Sequence, residues 1–311
     1  MVAITGALGG LGANVAREAL ARGLAVRALV RRDPPRAEEG LEYVQGDAAR
    51  LEDLIALVRG ADALLHCVNV HFDADWDRTV LSLLEKAVEA CRREDVRLVF
   101  PANVWVFGRG RRGHRIAEGE ALAPVSNKGR VRATQEELLR SSGVRFAMVR
   151  LPEFYGPHVG TLTGPPLRRV ATGRSVVWFG DADLDAELVF MPDAARALLE
   201  VACAADADGT CFHLPGARAI TPRAFFAEAF RQSGRGGRLF TVPAWLVHAA
   251  SPLSPLARGF SDILHLWEDP ILLDGSRYRR RFGTVPATSY EEGIAATLAW
   301  LRDNPTAPMH Y

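Results

Sequence analysis

The chain is poor in lysine and cysteine, and these shortages limit its chemistry. Lys86 and Lys128 are the only lysines among 38 basic residues, so few positions offer an amine that can exchange a proton. The four cysteines include no C-x-x-C pair, and the eight histidines form no H-E-x-x-H motif. We therefore expect no metal site, no disulfide framework and a reducing compartment.

Long apolar runs and strong charge are missing as well. Prolines and charged residues interrupt every apolar stretch before it reaches the roughly 18 residues of a membrane-spanning helix, and no basic leader precedes the first apolar strand. The formal net charge is +1, which gives no reason to expect a nucleic acid or a membrane as a partner. We expect a cytoplasmic, globular protein that acts on a small-molecule substrate.

A glycine-spaced turn is the most informative feature that the sequence does contain. It follows the apolar run at the N-terminus, and its glycines are Gly6, Gly9 and Gly12. Glycines at this spacing permit a positive φ, a close approach of a pyrophosphate and tight packing of a helix on a strand. Residues 14–22 predict the helix, and residues 24–30 predict a second strand. The unit predicts a dinucleotide-binding βαβ fold, with a purely structural turn as the alternative.

Strand and helix patterns alternate through the first half of the chain. The further predicted elements are strands at 41–44, 63–68, 97–100 and 144–150, and helices at 51–58, 76–91 and 129–140. Such alternation with nearly continuous apolar strands predicts an α/β fold, a Rossmann-type doubly wound parallel sheet with helices on both faces. Beyond Leu151 the pattern loosens around predicted helices at 193–203, 222–232 and 290–302. We divide the chain into a dinucleotide-binding domain, residues 1–150, and a smaller C-terminal substrate-binding region, residues 151–311, with interleaved elements.

Four further stretches match one family. They are Gly46-Asp47 after the third predicted strand, and residues 98–108, 150–157 and 190–197. Together with the glycine turn they extend over nearly the whole chain, which resembles the extended short-chain dehydrogenase/reductase family in its NAD-dependent epimerase/dehydratase-like branch. The resemblance implies an NAD(P) cofactor and is compatible with a homodimer.

The resemblance also assigns the residues of the cofactor site. It implies that the pyrophosphate is held by Gly6, Leu8, Gly9, Gly10, Leu11 and Gly12. By the same comparison, Asp47 and Ala48 lie near the adenine. Val68 and Asn69 lie on the ribose side.

The end of the second predicted strand bears on the choice between NADP and NAD. Its residues are Arg31, Arg32 and Asp33. A guanidinium pairs bidentately with a 2′-phosphate, whereas an acid at this position binds a 2′-hydroxyl. The two arginines favour NADP, and Asp33 keeps NAD open. The alternative is that both arginines are solvated charges at a strand end.

The Tyr-x-x-x-Lys motif of the family is absent from this chain. The resemblance puts Lys128 at the position of the tyrosine and Arg132 at that of the lysine. It puts Asn103 at the position of the Ser or Thr that binds the reacting oxygen. An asparagine amide still donates to a carbonyl oxygen, but arginine does not release a proton at neutral pH. These three are the candidate catalytic residues, and only Lys128 among them is an acid or base.

Two roles are open for Lys128. As a general acid, it needs burial or a neighbouring cation such as Arg132 to lower its pKa by several units. Alternatively, it stays charged and binds the ribose or a phosphate of the cofactor.

The loop after the sixth predicted strand carries the candidate substrate residues. By the resemblance, Glu153, Tyr155 and His158 lie where related proteins close over the substrate. Glu153 and His158 are able to supply a proton, with loop packing as the alternative. Aromatic residues are frequent further along the chain, at Phe225, Phe226, Phe230, Trp245, Phe260 and Trp267. Most fit core packing, and the remainder favour an apolar or polycyclic substrate over a sugar nucleotide.

Three functions remain open at this point. The main hypothesis is an NADP-dependent oxidoreductase that reduces a carbonyl of a small metabolite, with Asn103 and Lys128 polarising the oxygen. The second is an isomerase, epimerase or dehydratase that retains NAD(P) tightly. The third is a non-catalytic dinucleotide sensor.

Overall fold

The structure of the chain is a computed structural model, and it describes residues 1–32, 38–70 and 75–307. The described residues form eleven strands, namely β1 (Val2–Thr5), β2 (Val26–Val30), β3 (Leu41–Gln45), β4 (Ala63–His66), β5 (Arg97–Asn103), β6 (Phe146–Leu151), β7 (Glu153–Tyr155), β8 (Val176–Phe179), β9 (Leu188–Phe190), β10 (Thr210–His213) and β11 (Leu239–Val242). Seven of them form a parallel sheet in the order β3-β2-β1-β4-β5-β6-β10. The predicted doubly wound α/β fold is therefore confirmed.

The helices fall into two groups along the chain. Those of the first half are α1 (Gly10–Ala21), α2 (Leu51–Val58), α3 (Trp76–Glu94) and α4 (Asn127–Ser141), with a 3₁₀ helix at Val104–Phe107. Those of the second half are α5 (Gly164–Ala171), α6 (Met191–Cys203), α7 (Pro222–Ser233), α8 (Ala244–Ala250), α9 (Pro255–Ser261), α10 (His265–Glu268), α11 (Ser276–Phe282) and α12 (Tyr290–Asp303). The long helices of both groups lie close to where their periodicity predicts them.

Helices cover both faces of the central sheet because its strands are apolar on both sides. Successive residues of β1 point in opposite directions. Ile4 belongs to the core shared with α1 and α6, whereas Ala3 belongs to the core shared with α2 and α3. All four residues of β1 are buried. A parallel sheet buried on both faces needs this kind of apolar sequence.

The strand order changes direction at β1, which pairs with β2 on one side and β4 on the other. The connections leaving the carboxyl ends of β1 and β4 therefore diverge and leave a crevice between them, which is where doubly wound sheets bind ligands. Thr5 and His66 are aligned partners at this end of the two strands. The fold thus positions the glycine turn at the crevice.

Residues beyond 151 contribute to the sheet as well as to the smaller region. The strand β10 pairs with β6 at one edge of the central sheet. Two small parallel sheets, β7 with β9 and β8 with β11, belong to the C-terminal region. A separate aromatic core fills that region and includes Phe225, Phe226 and Trp267. Most aromatic residues singled out in this half are thus core residues, as their spacing predicts.

Candidate functional site

The glycine turn between β1 and α1 has no room for a side chain at Gly6 or at Gly12. Gly6 has a φ of +70°, and a Cβ there would lie 2.7 Å from the carbonyl oxygen of Cys67. A Cβ at Gly12 would overlap the carbonyl oxygen of Gly6. The N–H of Gly9 donates to that same oxygen over 2.9 Å, which closes the turn. The turn fits the close approach of a pyrophosphate that the resemblance implies.

The start of α1 is electrostatically suited to an anion. The helix begins at Gly10, and its first turn contains no acidic residue and no side-chain cap. Its first N–H groups and the helix dipole therefore favour a negatively charged group. Leu8 is exposed on the turn, and Leu11 packs against the core of the sheet. The backbone of residues 8–12, with the free N–H groups at the start of α1, fits the diphosphate of a nicotinamide dinucleotide.

The end of β4 borders the turn directly. A Cβ at Gly6 would lie 2.8 Å from the Cα of Val68, so Val68 stands at the edge of the turn. Asn69 follows it, and its side-chain oxygen accepts a bond from the Arg132 guanidinium at 3.5 Å. The fold therefore brings Gly6, Val68 and Asn69, predicted for the cofactor site, close to Arg132, a predicted catalytic residue.

The predicted adenine side is a tightly bonded turn after β3. The Asp47 carboxylate accepts the N–H of Ala49 at 2.9 Å, and the N–H of Asp47 donates to Asp53 at 2.8 Å. Ala48 is buried. Because the Asp47 carboxylate is engaged locally, its part in binding adenine remains a prediction.

Arg31 and Arg32 follow β2 and are exposed to solvent. Neither makes an ion pair within the described part of the chain. Asp33, the acid that keeps NAD open, lies outside the described residues. The two guanidinium groups remain available to a phosphate.

Lys128 lies in the first turn of α4, where C-terminal elements cover it. Its Nζ donates to the carbonyl oxygen of Gly259 in α9 at 3.0 Å, and its N–H donates to Asp262 at 3.2 Å. Burial lowers the pKa of Lys128 below its ordinary value, although the carboxylates of Asp262 and Asp77 favour the charged form. Lys128 is thus a partly desolvated amine held by the C-terminal region.

Arg132 lies one helical turn further along α4, between two indole rings. Its guanidinium carbon is 5.2 Å from the ring centre of Trp76 and 5.9 Å from that of Trp105. One nitrogen donates to Gln135 at 2.8 Å, while its buried Nε has no hydrogen-bond partner among the described residues. Burial lowers the pKa of Arg132 to about 10, so it remains charged at neutral pH. Within the same residues it has no carboxylate partner, which leaves its charge for a ligand.

His66 is a buried polar residue beside the crevice that the sequence analysis does not single out. It ends β4, and its Nδ1 lies 3.2 Å from the Thr5 hydroxyl. Burial and the positive charge of Arg132 lower the pKa of His66 to about 4, so the imidazole is neutral at physiological pH. A polar residue at the carboxyl end of an apolar strand was the available signal.

Asn103 ends β5 at the same edge of the sheet. Its side-chain oxygen accepts the N–H of Trp105 at 3.1 Å and so caps the 3₁₀ helix. The amide nitrogen is the part of the side chain that can donate to an oxygen of a ligand. Asn103 therefore has a structural task as well as the predicted catalytic one.

A buried ion pair anchors α4 to the sheet. The two guanidinium Nη atoms of Arg150 donate to the Glu136 carboxylate at 2.7 and 2.8 Å. Arg150 also donates to the backbone oxygen of Asn103 at 2.8 Å and to His213 Nε2 at 3.2 Å. Both charged side chains are almost fully buried. The pair fixes α4, and with it Lys128 and Arg132, against the ends of β5 and β6.

The predicted substrate residues lie in three different environments. Glu153 accepts the hydroxyl of Thr161 at 2.5 Å, and burial raises the pKa of its carboxyl. His158 has a φ of +65°, and its carbonyl oxygen would lie 3.0 Å from a Cβ at Gly10. The loop thus approaches the start of α1, but the His158 ring packs on Trp300 with their centres 4.5 Å apart.

Tyr155 does not face the crevice. It is fully buried in the aromatic core, with ring centres 5.3 Å from Phe190, 5.2 Å from Phe225 and 5.6 Å from Tyr290. Its hydroxyl has no hydrogen-bond partner among the described residues. This position favours packing, and it does not support the predicted contact of Tyr155 with a substrate.

No helix within the described ranges is long and apolar enough to cross a bilayer.

Among proteins of known sequence, the chain is 24% identical over 346 residues to the uncharacterized protein YbjS of Escherichia coli K12, with 99% of each chain covered.

Solved structures share the fold over nearly the full length. The dTDP-glucose 4,6-dehydratase DesIV of Streptomyces venezuelae, solved with NAD and TYD bound, superimposes with a TM-score of 0.79 at 20% identity, covering 97% of both chains. The UDP-glucose 4-epimerase of Thermotoga maritima, solved with UDP-glucose, gives a TM-score of 0.80 at 18% identity, covering 98% of this chain and 99% of that one. The sequence profile of the NAD dependent epimerase/dehydratase family matches residues 2–212. The chain therefore belongs to the NAD-dependent epimerase/dehydratase family, as its motifs predict.

Proposed function

We propose that this protein binds a nicotinamide dinucleotide in the glycine turn and acts as an epimerase, dehydratase or related isomerase. The observation that carries the proposal is the pair of basic residues on α4. Lys128, partly desolvated, and Arg132, with no carboxylate partner in the described part of the chain, lie one helical turn apart beside the crevice. A buried cation without an acid is costly unless a ligand compensates it.

The chain would hold the cofactor along the crevice. The glycine turn and the start of α1 would bind the diphosphate, and Asn69 and Arg132 would bind the ribose next to the nicotinamide. A bound nicotinamide ring supplies an acceptor, and afterwards a donor, for the hydride of a secondary alcohol. The protein supplies the proton transfer and the orientation.

Proton transfer falls to Lys128. Its neutral Nζ accepts the hydroxyl proton as the alcohol becomes a carbonyl, and returns that proton as the carbonyl becomes the alcohol of the product. Burial favours the neutral amine. The carboxylates of Asp262 and Asp77 oppose this effect, so desolvation has to outweigh them. The amide nitrogen of Asn103 donates to the reacting oxygen, which orients it towards Lys128.

The similarity to epimerases and dehydratases supports a reaction in which the hydride returns to the same substrate. A reductase that consumes NADPH is the second candidate, and Arg31 and Arg32 favour it. They are exposed after β2, and neither makes an ion pair in the described residues. We infer a preference for NADP over NAD from these two guanidinium groups, since each is able to pair with a 2′-phosphate.

The role of Lys128 is tested by comparing Lys128→Met with Lys86→Met, the same change at the only other lysine. Both variants and the native protein are incubated with nucleotide sugars and with apolar cyclic ketones and alcohols. Products are identified by mass spectrometry while absorbance follows NADPH. We expect Lys128→Met to lose about 10²–10⁴-fold in turnover with dinucleotide affinity little changed, and Lys86→Met to behave as the native protein.

The result separates the functions that the sequence left open. Product without net NADPH consumption supports the isomerase, and one NADPH consumed per product supports the reductase. Native turnover in Lys128→Met contradicts the proposed role of the lysine. Binding of NADPH without turnover on either class of substrate favours the dinucleotide sensor.

A further inference from the structure

The helix that packs on the one contacting Lys128 presents apolar side chains to solvent. The carbonyl oxygen that binds Lys128 belongs to Gly259 of α9, and α8 packs on α9. Val247 of α8 is buried, whereas Trp245 is 68% exposed and Leu253, just after α8, is 90% exposed. Water-exposed side chains of this size are unfavourable unless another surface covers them.

The strand pair before α8 extends the same feature. Val177 of β8 and Phe240 of β11 are aligned partners, 45% and 55% exposed. The strand β11 leads through Pro243 directly into α8. We call Val177, Phe240 and the exposed residues of the α8 segment, Trp245, Leu246 and Leu253, the docking face.

The chain segment that carries most of the docking face contains basic residues only, while Asp181, Asp183 and Glu268 from other segments lie beside Thr241, Pro243 and Ala244. Residues 229–261 contain four arginines and no aspartate or glutamate. Arg174, Arg235 and Arg238 are exposed and make no ion pair within the described chain. Close backbone contacts bring them together, since a Cβ at Gly173 would lie 3.3 Å from the Cβ of Arg235, and one at Gly237 would lie 3.1 Å from the carbonyl oxygen of Arg174.

The apolar and basic groups also share an orientation. Arg238 and Phe240 are two residues apart along the strand end, so their side chains point to the same side of the sheet. Tryptophan, phenylalanine and leucine beside arginines form the composition that binds the interface of an anionic bilayer. A second copy of the chain would instead bring two arginine clusters of like charge together.

We propose that the docking face binds the surface of an anionic phospholipid bilayer. Trp245, Leu246 and Leu253 enter the interfacial layer, and Arg174, Arg235 and Arg238 contact lipid phosphates. The α8 helix has seven residues, so the protein lies on the membrane and does not span it. The expectation of no membrane partner rests on the net charge of +1. That value is a sum over the whole chain and does not show that basic residues are concentrated on one surface. The inference does not depend on the proposed reaction.

The test is flotation of the full-length protein with vesicles of phosphatidylcholine, with and without phosphatidylglycerol. The variants are Trp245→Ser with Leu253→Ser, and Arg235→Glu with Arg238→Glu. Matched controls change an exposed leucine and an exposed arginine elsewhere, Leu122→Ser and Arg112→Glu. Melting temperatures establish that every variant is folded, which is expected because the changed side chains are exposed.

We expect binding to the phosphatidylglycerol vesicles that weakens with added salt, and little binding to phosphatidylcholine alone. Each test variant should lose about tenfold or more in affinity, while the controls bind as the native protein. Absence of binding at low salt, or equal binding to both vesicle types, overturns the proposal. A concentration-dependent dimer that Trp245→Ser with Leu253→Ser dissociates, without vesicle binding, would assign the face to a second copy and overturn it as well.

Discussion

At the scale of single residues, the replacement of tyrosine and lysine by Lys128 and Arg132 changes what the site can do. An ordinary lysine has a pKa near 10.4, so the neutral amine is scarce at pH 7 until desolvation lowers that value. Burial acts in this direction at Lys128, and Asp262 and Asp77 act against it. Arg132, whose pKa is about 10, stays charged at neutral pH. Only one of the two residues can therefore exchange a proton.

His213 gives a prediction on pH and stability. Its Nε2 accepts a bond from Arg150 and its Nδ1 lies 3.1 Å from the carbonyl oxygen of Ile116, so the folded state requires the neutral ring with its proton on Nδ1. Burial and the Arg150 charge lower the pKa of His213 to about 3. Between pH 6.5 and that value the unfolded chain binds one proton more, and the free energy of unfolding falls as the pH falls.

We expect the titration of this histidine to lower the free energy of unfolding by about 2 kcal/mol between pH 7 and pH 5. In His213→Gln the amide can accept from Arg150 and donate to Ile116 without titrating, so that part of the loss should disappear. Urea unfolding at the two pH values measures it. Equal losses in the variant and the native protein would show that His213 does not titrate as described.

At the scale of elements, α4 depends on a buried ion pair for its position. The bidentate contact between Glu136 and Arg150 joins α4 to β6. Such a pair gains little over apolar packing, but removing one partner leaves an uncompensated buried charge. The position of α4 against the sheet, and with it that of Lys128 and Arg132, depends on this contact.

Breaking the pair should therefore cost much more than removing a surface contact of the same glutamate. We expect Glu136→Ala to lose about 3–5 kcal/mol of unfolding free energy. The exposed Arg140, 3.9 Å from the same carboxylate, is the control, and Arg140→Ala should lose less than about 1 kcal/mol. Denaturant unfolding measures the unfolding free energy of both variants. The double variant Glu136→Met with Arg150→Met should recover part of the stability that Glu136→Ala loses, because no buried charge remains. A Glu136→Ala protein as stable as Arg140→Ala would contradict the anchoring role.

The sequence predicts the long helices of the C-terminal half and misses its short strands. The helices α6, α7 and α12 have 12 to 14 residues, enough to repeat an apolar face. The strands β7 to β11 have three or four residues, which allow at most two alternations. Their strand character is set by partners distant in the chain, as with β10 beside β6, and no local pattern encodes that pairing.

At the scale of the whole molecule, the two halves of the candidate site differ in how far the sequence predicts them. The glycine turn is local, because Gly6 and Gly12 restrict each other within one turn. The surroundings of Arg132 are not local. Asn69 and Trp76 reach it from the connection that follows β4, and Trp105 reaches it from the connection that follows β5, so only the folded chain brings them together.

The same scale explains the docking face. A balanced composition predicts no surface partner, yet folding collects exposed apolar side chains in one part of the C-terminal region, together with arginines that make no ion pair with any residue the structure describes. The helices of that part also hold Lys128 through the carbonyl oxygen of Gly259. The candidate proton-transfer group on α4 is therefore linked to the docking face through α9, on which α8 packs.

The most direct test of the central claim is a fluorescence titration with NADPH and NADH after removal of any nucleotide that mass spectrometry finds bound. It compares the native protein, Gly12→Ala and Gly119→Ala. A Cβ at Gly12 would overlap the Gly6 carbonyl oxygen, whereas one at Gly119 meets nothing within 4 Å. We predict saturable binding to the native protein and Gly119→Ala, tighter for NADPH by about tenfold or more, and its loss in Gly12→Ala. Absence of binding to the native protein, or native affinity in Gly12→Ala, would contradict the account.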